Sequence, residues 1–153
     1  MRILFLLALS FYSFAAPTDF SECKGKEANY YVAKITKGGS AAGWLQASKM
    51  HQKFYKDRGS DIMVMPMMQY RRDAEGNVTE KLYRATSMVI GSQESWKKWR
   101  DLIANQSEAE AAKAQKEYDA FTGLYSKNTE LTVQRKLCCL LYTSPSPRDP
   151  SIS

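Results

Sequence analysis

The order in which strand-like and helix-like segments follow one another constrains the fold of this chain more than any other feature. Aromatic and β-branched residues fill 30–36, which predicts a strand, and 61–70 and 81–90 also have the length and composition of strands. A fourth strand is predicted over 131–137, with a start as early as residue 125 left open. Amphipathic helical patterns follow the first and the third strand. The predicted order is therefore β-α-β-β-α-β.

Each helical segment begins after a residue that commonly caps helices. Ser40 and Ser92 precede the two segments, and a serine hydroxyl accepts a hydrogen bond from the free N–H groups of a first helical turn. The first helix is predicted to end near Asp57. The second restarts at a capping box over 107–110, and we expect it to stop at Gly123.

This order predicts an α+β, ferredoxin-like domain over residues 30–137, preceded by a polar lead-in over 16–29. Right-handed crossovers would give a four-stranded antiparallel sheet with both helices on one face. The first strand is then central, and the second and fourth strands form the edges. Pro66 lies in the second strand and cannot donate a ladder hydrogen bond, which fits an edge position.

The amino terminus has the pattern of a signal peptide over 1–15. Arg2 supplies a positive charge before an apolar run over 3–14, and this run is shorter than the roughly 20 residues that span a bilayer. Small residues favour cleavage after Ala15, with cleavage after Ala16 and an uncleaved anchor as alternatives. We expect an exported protein, periplasmic or secreted, that has no membrane attachment after cleavage.

The carboxyl-terminal residues lie outside the predicted domain. Residues 139–149 resemble a translated sequencing adaptor, so 138–153 are interpreted as a non-native tail, with a natural disordered Ser/Pro tail as the alternative. Cys138 lies at the junction. The predicted topology brings the start of the first strand beside the end of the fourth. A disulfide between Cys23 and Cys138 is therefore expected if Cys138 is native, and Cys23 is otherwise a lone thiol.

Charge and composition exclude several classes of function. The chain has 22 Lys+Arg against 16 Asp+Glu, and this excess is spread along the sequence, as on a solvated surface. Tyr83 and Arg84 invite comparison with the RNA-recognition fold, but its aromatic-rich motif is absent and no nucleic-acid partner is predicted. A single histidine and no CxxC predict no metal site. Asn77 and Asn105 begin glycosylation acceptor patterns whose use the sequence leaves open.

The element order, the segment SAAGW at 40–44 and the segment SQESWKKW at 92–99 resemble the dimeric α+β barrel superfamily. That superfamily includes antibiotic-monooxygenase-like and stress-responsive barrel domains. The resemblance implies a homodimer that pairs two sheets into a barrel, with a pocket between each sheet and its own helices. Its members include cofactor-free oxygenases, haem-degrading enzymes and proteins without known activity, so the resemblance does not fix a function.

His51 is the best candidate for a catalytic residue, because it lies on the apolar face of the first helix. An imidazole there suits a general base or a haem ligand, although a partly buried histidine in the core fits the pattern as well. No cofactor is predicted. Haem is left open as an alternative, but the asparagine that the haem-degrading branch uses matches no motif position in this sequence. The candidates for binding a small apolar or aromatic ligand are Trp44, His51, Tyr55, Trp96 and Trp99. Core packing explains the same spacing, and Trp96 or Trp99 is favoured as a pocket wall.

Met63, Met65 and Met67 alternate onto one face of the second strand. Thioethers bind Cu(I), but adaptable packing in the core or at a dimer seam is the favoured interpretation. The sequence thus predicts an exported ligand-binding or accessory protein, with a pocket enzyme of the same superfamily, an oxygenase or a haem-modifying protein, as the alternative.

Overall fold

A computed structural model describes residues 19–140 and shows an α+β fold. The predicted signal peptide and the tail after residue 140 lie outside the described residues. A short 3-10 turn over Phe20–Glu22 precedes the first strand. The strands are β1 (Lys26–Ile35), β2 (Met63–Arg72), β3 (Val78–Gly91) and β4 (Thr129–Cys139), and the helices are α1 (Ala41–Lys56), α2 (Gln93–Ala104) and α3 (Glu108–Asn128).

The four strands form one antiparallel sheet in the order β2-β3-β1-β4. This order confirms the prediction that the first strand is central and that the second and fourth strands are edges. Pro66 lies opposite Ser87 of β3, and no other strand within residues 19–140 pairs with its other side, so its missing N–H costs no ladder hydrogen bond there. The arrangement is compatible with a ferredoxin-like fold.

The second helical segment forms two helices, which makes the order β-α-β-β-α-α-β. The break follows Asn105, and α3 restarts at the predicted capping box, in which Ser107 and Glu110 cap each other. The prediction that this helix stops at Gly123 is wrong, because α3 continues to Asn128. A glycine inside a helix costs only about 1 kcal/mol relative to alanine, and the packing of Phe121 and neighbouring side chains outweighs that cost.

The strands β1 and β3 begin earlier than their apolar residues predict. β1 includes the polar residues from Lys26, four residues before Tyr30, because both neighbouring strands pair with this stretch: Glu27 lies opposite Gly91 of β3 and opposite Cys138 of β4. β3 begins at Val78 rather than at residue 81. In both cases strand pairing extends the ladder beyond the apolar run.

The helices pack against one face of the sheet. A first core cluster joins α1 and α2 to the sheet through Tyr55, Ile62, Val64, Val89 and Trp96. A second cluster joins α1 to α3 through Phe54, Ala114 and Phe121. The opposite face, called the open face below, carries Met63, Met65 and Met67 of β2 and their neighbours across the sheet. Within residues 19–140, no helix is long and apolar enough to cross a membrane.

A disulfide joins Cys23 to Cys138, with a Cα–Cα distance of 5.7 Å. It links the residue that follows the 3-10 turn to the end of β4. This agrees with the prediction that the start of the first strand lies beside the end of the fourth. Cys138 is therefore part of an ordered strand, although the sequence places it at the junction with the adaptor-like segment. Cys139 is a free cysteine and is half-buried.

Candidate functional site

A cavity of about 470 Å³ lies between the sheet and the helices α1 and α3. Alternate residues of β1 and β3 form its floor, because successive side chains of a strand point to opposite faces. Residues one or two turns apart on α1 and α3 form its walls. The lining includes Asn29, Tyr31, Trp44, His51, Tyr55, Tyr118, Phe121, Thr122 and Tyr125.

The lining is aromatic and uncharged. Tyr31, Tyr55 and Tyr125 share the lining with His51 and Phe121, and its polar groups include hydroxyl and amide groups. None of the described lining residues is Asp, Glu, Lys or Arg. An ion that entered this cavity would lose hydration without gaining an opposite charge, which costs several kcal/mol.

His51 lies flat against the ring of Phe121. The two ring centroids are 4.4 Å apart with an interplanar angle of 9°, and the Tyr55 ring stacks at 5.4 Å. Tyr125 contacts the imidazole edge-on at 6.1 Å. Within residues 19–140, neither imidazole nitrogen has a protein hydrogen-bond partner, so both remain available to a molecule in the cavity.

Burial lowers the pKa of His51 to about 4. The imidazole is therefore neutral at physiological pH, with one nitrogen that donates and one that accepts a hydrogen bond. A general base works best when its pKa lies near the working pH, so His51 is a weak base for catalysis near pH 7. No acid among the described lining residues orients it either, which favours binding over proton transfer.

Three tyrosines of the lining keep their protons at neutral pH. Burial raises the pKa of Tyr31 and of Tyr55, and it raises the pKa of Tyr125 to about 12. The Tyr125 hydroxyl donates to Ser48 Oγ at 3.0 Å, and Ser48 donates in turn to the carbonyl oxygen of Trp44 at 3.1 Å. The hydroxyls of Tyr31 and Tyr55 have no hydrogen-bond partner in the described part of the chain. They can donate to a ligand.

The structure brings three of the five predicted ligand-binding residues together, since Trp44, His51 and Tyr55 all line the cavity. Trp96 and Trp99, which the sequence favoured as pocket walls, lie outside the lining. The Trp96 indole N–H donates to the carbonyl oxygen of Glu27 at 3.1 Å, and its ring packs in the first core cluster. Trp99 packs 4.6 Å from the Tyr55 ring and contacts both clusters.

Sequence reasoning missed the contribution of α3. Tyr118, Phe121 and Tyr125 line the cavity, and their spacing of three and four residues places them on one helical face. The sequence contains this aromatic stripe, but the strong helix formers around it predict a helix without indicating which face borders a cavity.

The cavity does not fit haem, the cofactor that one branch of the resembled superfamily uses. His51 offers a neutral nitrogen, and Asn29 and Trp44 lie in the same lining. The described lining contains no lysine or arginine that could pair with the two haem carboxylates, however, and the His51 ring is held flat against Phe121. We therefore derive no chemistry through haem.

A second groove lies between the carboxyl ends of α1 and α2 and the first half of α3. Charged side chains line it, and several pair with one another: Arg58 contacts Glu117 at 2.8 Å, and Lys113 lies 4.0 Å from the same carboxylate group. No group of three or more His, Cys, Asp or Glu side chains in residues 19–140 is placed to hold a metal ion. This groove is a paired, solvated surface.

Comparison of the chain with known protein families, with curated proteins and with solved structures gives no match. The function is therefore inferred from the geometry and chemistry of the cavity itself.

Proposed function

We propose that this protein is an exported ligand-binding or accessory protein that holds a small, uncharged aromatic molecule between its sheet and the helices α1 and α3. The observation that carries the proposal is the composition of the cavity: about 470 Å³ lined by aromatic rings, without a charged residue in the described lining. Its volume falls in the range of about 300–1,000 Å³ that is typical of small-molecule sites.

The lining determines which ligand chemistry is favoured. An aromatic ligand can pack edge-on or face-on against the rings of the lining. Each such aromatic pair contributes about 0.5–1.5 kcal/mol in addition to the free energy of burying apolar area. The unpaired nitrogens of His51 and the hydroxyls of Tyr31 and Tyr55 favour a ligand with a hydroxyl or carbonyl group. An anionic ligand of the same size is disfavoured because nothing in the described lining balances its charge.

Two probes of matched size test the proposal. 1-Naphthol is neutral at pH 7, and 1-naphthoate is an anion of nearly the same shape. Titrations followed by isothermal calorimetry should show saturable binding of 1-naphthol and binding of 1-naphthoate that is at least about tenfold weaker, about 1.4 kcal/mol. Equal binding of both probes, or of neither, would contradict the proposal.

A pair of variants ties the binding to the cavity. Thr122→Trp places a large ring in the cavity wall on α3, whereas Lys127→Trp adds the same ring at an exposed position of α3 outside the lining. The first variant should abolish 1-naphthol binding and the second should leave it unchanged. Both should retain the circular dichroism spectrum of the parent protein.

A pocket enzyme of the same superfamily remains a second candidate, because His51 offers free nitrogens inside the cavity. An oxygenase would consume O₂ when 1-naphthol is added, and His51→Ala would abolish that consumption. The described lining does not fit haem, so added hemin should show no shift of its Soret band. The uncharged lining and the lowered pKa of His51 favour a binding protein over an oxygenase, and no O₂ consumption is then expected.

We further propose that two copies pair through the open face of their sheets. The support is the apolar surface of that face, where Met63 is 46% and Leu137 36% exposed, together with the edges β2 and β4, each of which pairs on one side only among the described strands. Light scattering after size exclusion at micromolar concentration should give twice the chain mass. Leu137→Glu should give the single mass, whereas Ala112→Glu on the exposed side of α3 should not. A single mass for the parent protein would contradict the pairing.

Export is also a proposal, supported by the residue pattern over 1–15. Expression of the full chain in a secreting host, followed by amino-terminal sequencing of the product, tests it. A product that begins at Ala16 would support cleavage after Ala15, and one that begins at Pro17 would support the neighbouring site. A product that keeps Met1 would contradict cleavage.

A further inference from the structure

Four methionines cluster on the open face of the sheet. Met63, Met65 and Met67 alternate along the edge strand β2, and Met88 of β3 lies directly opposite Met65. Alternate residues of one strand share a face at about 7 Å, and directly opposite residues have Cβ atoms about 4.5–5.5 Å apart. Met65 therefore has three methionine neighbours within reach of its long, flexible side chain.

In the single chain these thioethers are accessible, and the proposed pairing of two copies through the open face would place them at the seam. Met63 is 46% exposed, and Met65 and Met67 are each 38% exposed, whereas Met88 is partly buried. No carboxylate or imidazole lies at the register positions opposite the cluster, since Ile90 lies opposite Met63, Thr86 lies opposite Met67 and Tyr30 lies opposite Met88. The Thr86 hydroxyl accepts a hydrogen bond from Gln69 at 2.6 Å. The donor set of the cluster is therefore almost purely thioether sulfur.

We propose that this methionine cluster is a binding site for a soft monovalent metal ion, Cu(I) or its analogue Ag(I). Soft thioether ligands select Cu(I) over the harder divalent ions that prefer carboxylates or imidazoles. A thioether has no proton to lose at ordinary pH, so binding here does not weaken in mild acid as binding by histidine or cysteine does. The site is separate from the aromatic cavity, which lies on the other face of the sheet, and does not depend on the function proposed for it.

Packing alone would also place methionines on a face that pairs with a second copy. Leucine distinguishes the two roles, because it conserves apolar volume at a cost usually below about 1.5 kcal/mol but has no sulfur. Met65→Leu combined with Met88→Leu should therefore keep the fold and any dimer while removing the centre of the metal site. Met68→Leu is the matched control, since Met68 lies on the same strand but points to the helical face, opposite Ala85.

The experiment titrates Ag(I), which is redox-inert, into the oxidised protein at pH 5.5 in chloride-free buffer. All proteins carry Cys139→Ser, because the free thiol of Cys139 would bind silver by itself. Calorimetry measures affinity, and native mass spectrometry measures the number of ions and the number of chains. We expect one Ag(I) per chain, affinity at least about tenfold weaker in the Met65/Met88 double variant, and no change in Met68→Leu.

Three results would overturn the proposal: no uptake of silver, equal uptake by the double variant, or an equal loss in Met68→Leu. The native mass is read in the same experiment and reports pairing of the chains separately. A dimer that takes up no silver would thus reject the metal site while leaving the pairing intact.

Discussion

The side-chain amide of Asn128, at the end of α3, occupies the space beside Gly43 in the first turn of α1, so that a Cβ atom on residue 43 would overlap it. The Asn128 Oδ1 atom accepts a hydrogen bond from the backbone N–H of Ser40 at 3.0 Å, and its Nδ2 atom donates to the carbonyl oxygen of Leu124 at 2.8 Å. One buried side chain thereby joins the start of α1 to the end of α3. Both helices form walls of the cavity.

We predict that Gly43→Ala destabilises the protein by about 1–3 kcal/mol, because the added methyl group must displace the Asn128 side chain. Helix propensity alone would give the opposite sign, since alanine is favoured over glycine in a helix by about 1 kcal/mol. The free energy of unfolding in urea, measured at fixed pH and with the disulfide intact, gives the effect.

Gly123→Ala is the control for that prediction. Gly123 also lies inside a helix, but a Cβ atom there would meet open space, so alanine should raise the free energy of unfolding by up to about 1 kcal/mol. If both variants changed stability by the same amount and sign, the close approach of Asn128 to Gly43 would not constrain the fold.

Local signals in the sequence predicted most of the fold. Ser40, Ser92 and Ser107 all cap helices as expected, because a cap depends only on residues within one turn. The strand order also followed, since few topologies satisfy short right-handed crossovers. Gly123 did not predict the end of α3. The helix continues to Asn128, and the contacts that stabilise its last turn come from residues about 85–90 positions away in the sequence.

The site was predicted only in part, for a physical reason. Trp44, Trp96 and Trp99 share the amphipathic spacing of a buried face, and spacing cannot distinguish a residue that packs against another side chain from one that borders an empty volume. Trp96 and Trp99 meet Tyr55 and become core, whereas Trp44 borders the cavity. That difference depends on the distance between the helices and the sheet, and the sequence of one helix does not determine this distance.

The disulfide should contribute a large part of the stability. Cys23 and Cys138 are 115 residues apart, and closing so long a loop restricts the unfolded chain by about 2–5 kcal/mol. We predict that Cys23→Ser with Cys138→Ser lowers the melting temperature by many degrees, measured in a Cys139→Ser background so that no thiol exchange occurs. Addition of a reductant should reproduce the loss in the parent and have no effect on the variant. Equal melting temperatures of parent and variant would contradict the prediction.

Tyr83 should ionise at a lower pH than an ordinary tyrosine. The guanidinium groups of Arg71 and Arg84 lie 4.0 and 4.1 Å from its ring centroid, and the hydrogen bond from Arg71 is the main cause that holds the pKa of the phenol below its usual value. Arg71→Gln should raise that pKa toward the ordinary value near 10, as measured by carbon NMR of the tyrosine Cζ atoms.

The neighbouring residue supplies the control for Tyr83. Arg72 donates to the carbonyl oxygen of Gly76 and makes no ring contact with Tyr83, so Arg72→Gln should leave the pKa of Tyr83 unchanged. A similar change in both arginine variants would mean that general positive charge, rather than the bond from Arg71, sets the ionisation.

Folding stability should depend on pH through His51. Burial lowers its pKa to about 4 in the folded state, below the usual value of 6.5, so between these values the unfolded chain binds a proton that the folded protein does not. The free energy of unfolding should therefore fall as the pH decreases from about 6.5 to about 4, by about 2–3 kcal/mol at most, and rise again on return to neutral pH. Because His51 is the only histidine of the chain, its imidazole signal in proton NMR needs no assignment.

The variant His51→Gln separates the pH dependence caused by His51 from that caused by carboxylates, which titrate near the lower end of the same pH range. The glutamine side chain cannot bind a proton, so the difference in unfolding free energy between parent and variant should shrink at low pH, where the parent has lost its advantage. The NMR signal of His51 in the folded parent should stay at its neutral position down to about pH 5. A midpoint near 6.5 would instead mean that water reaches the imidazole freely, and the apolar character of the cavity would then be in doubt together with its preference for an uncharged ligand.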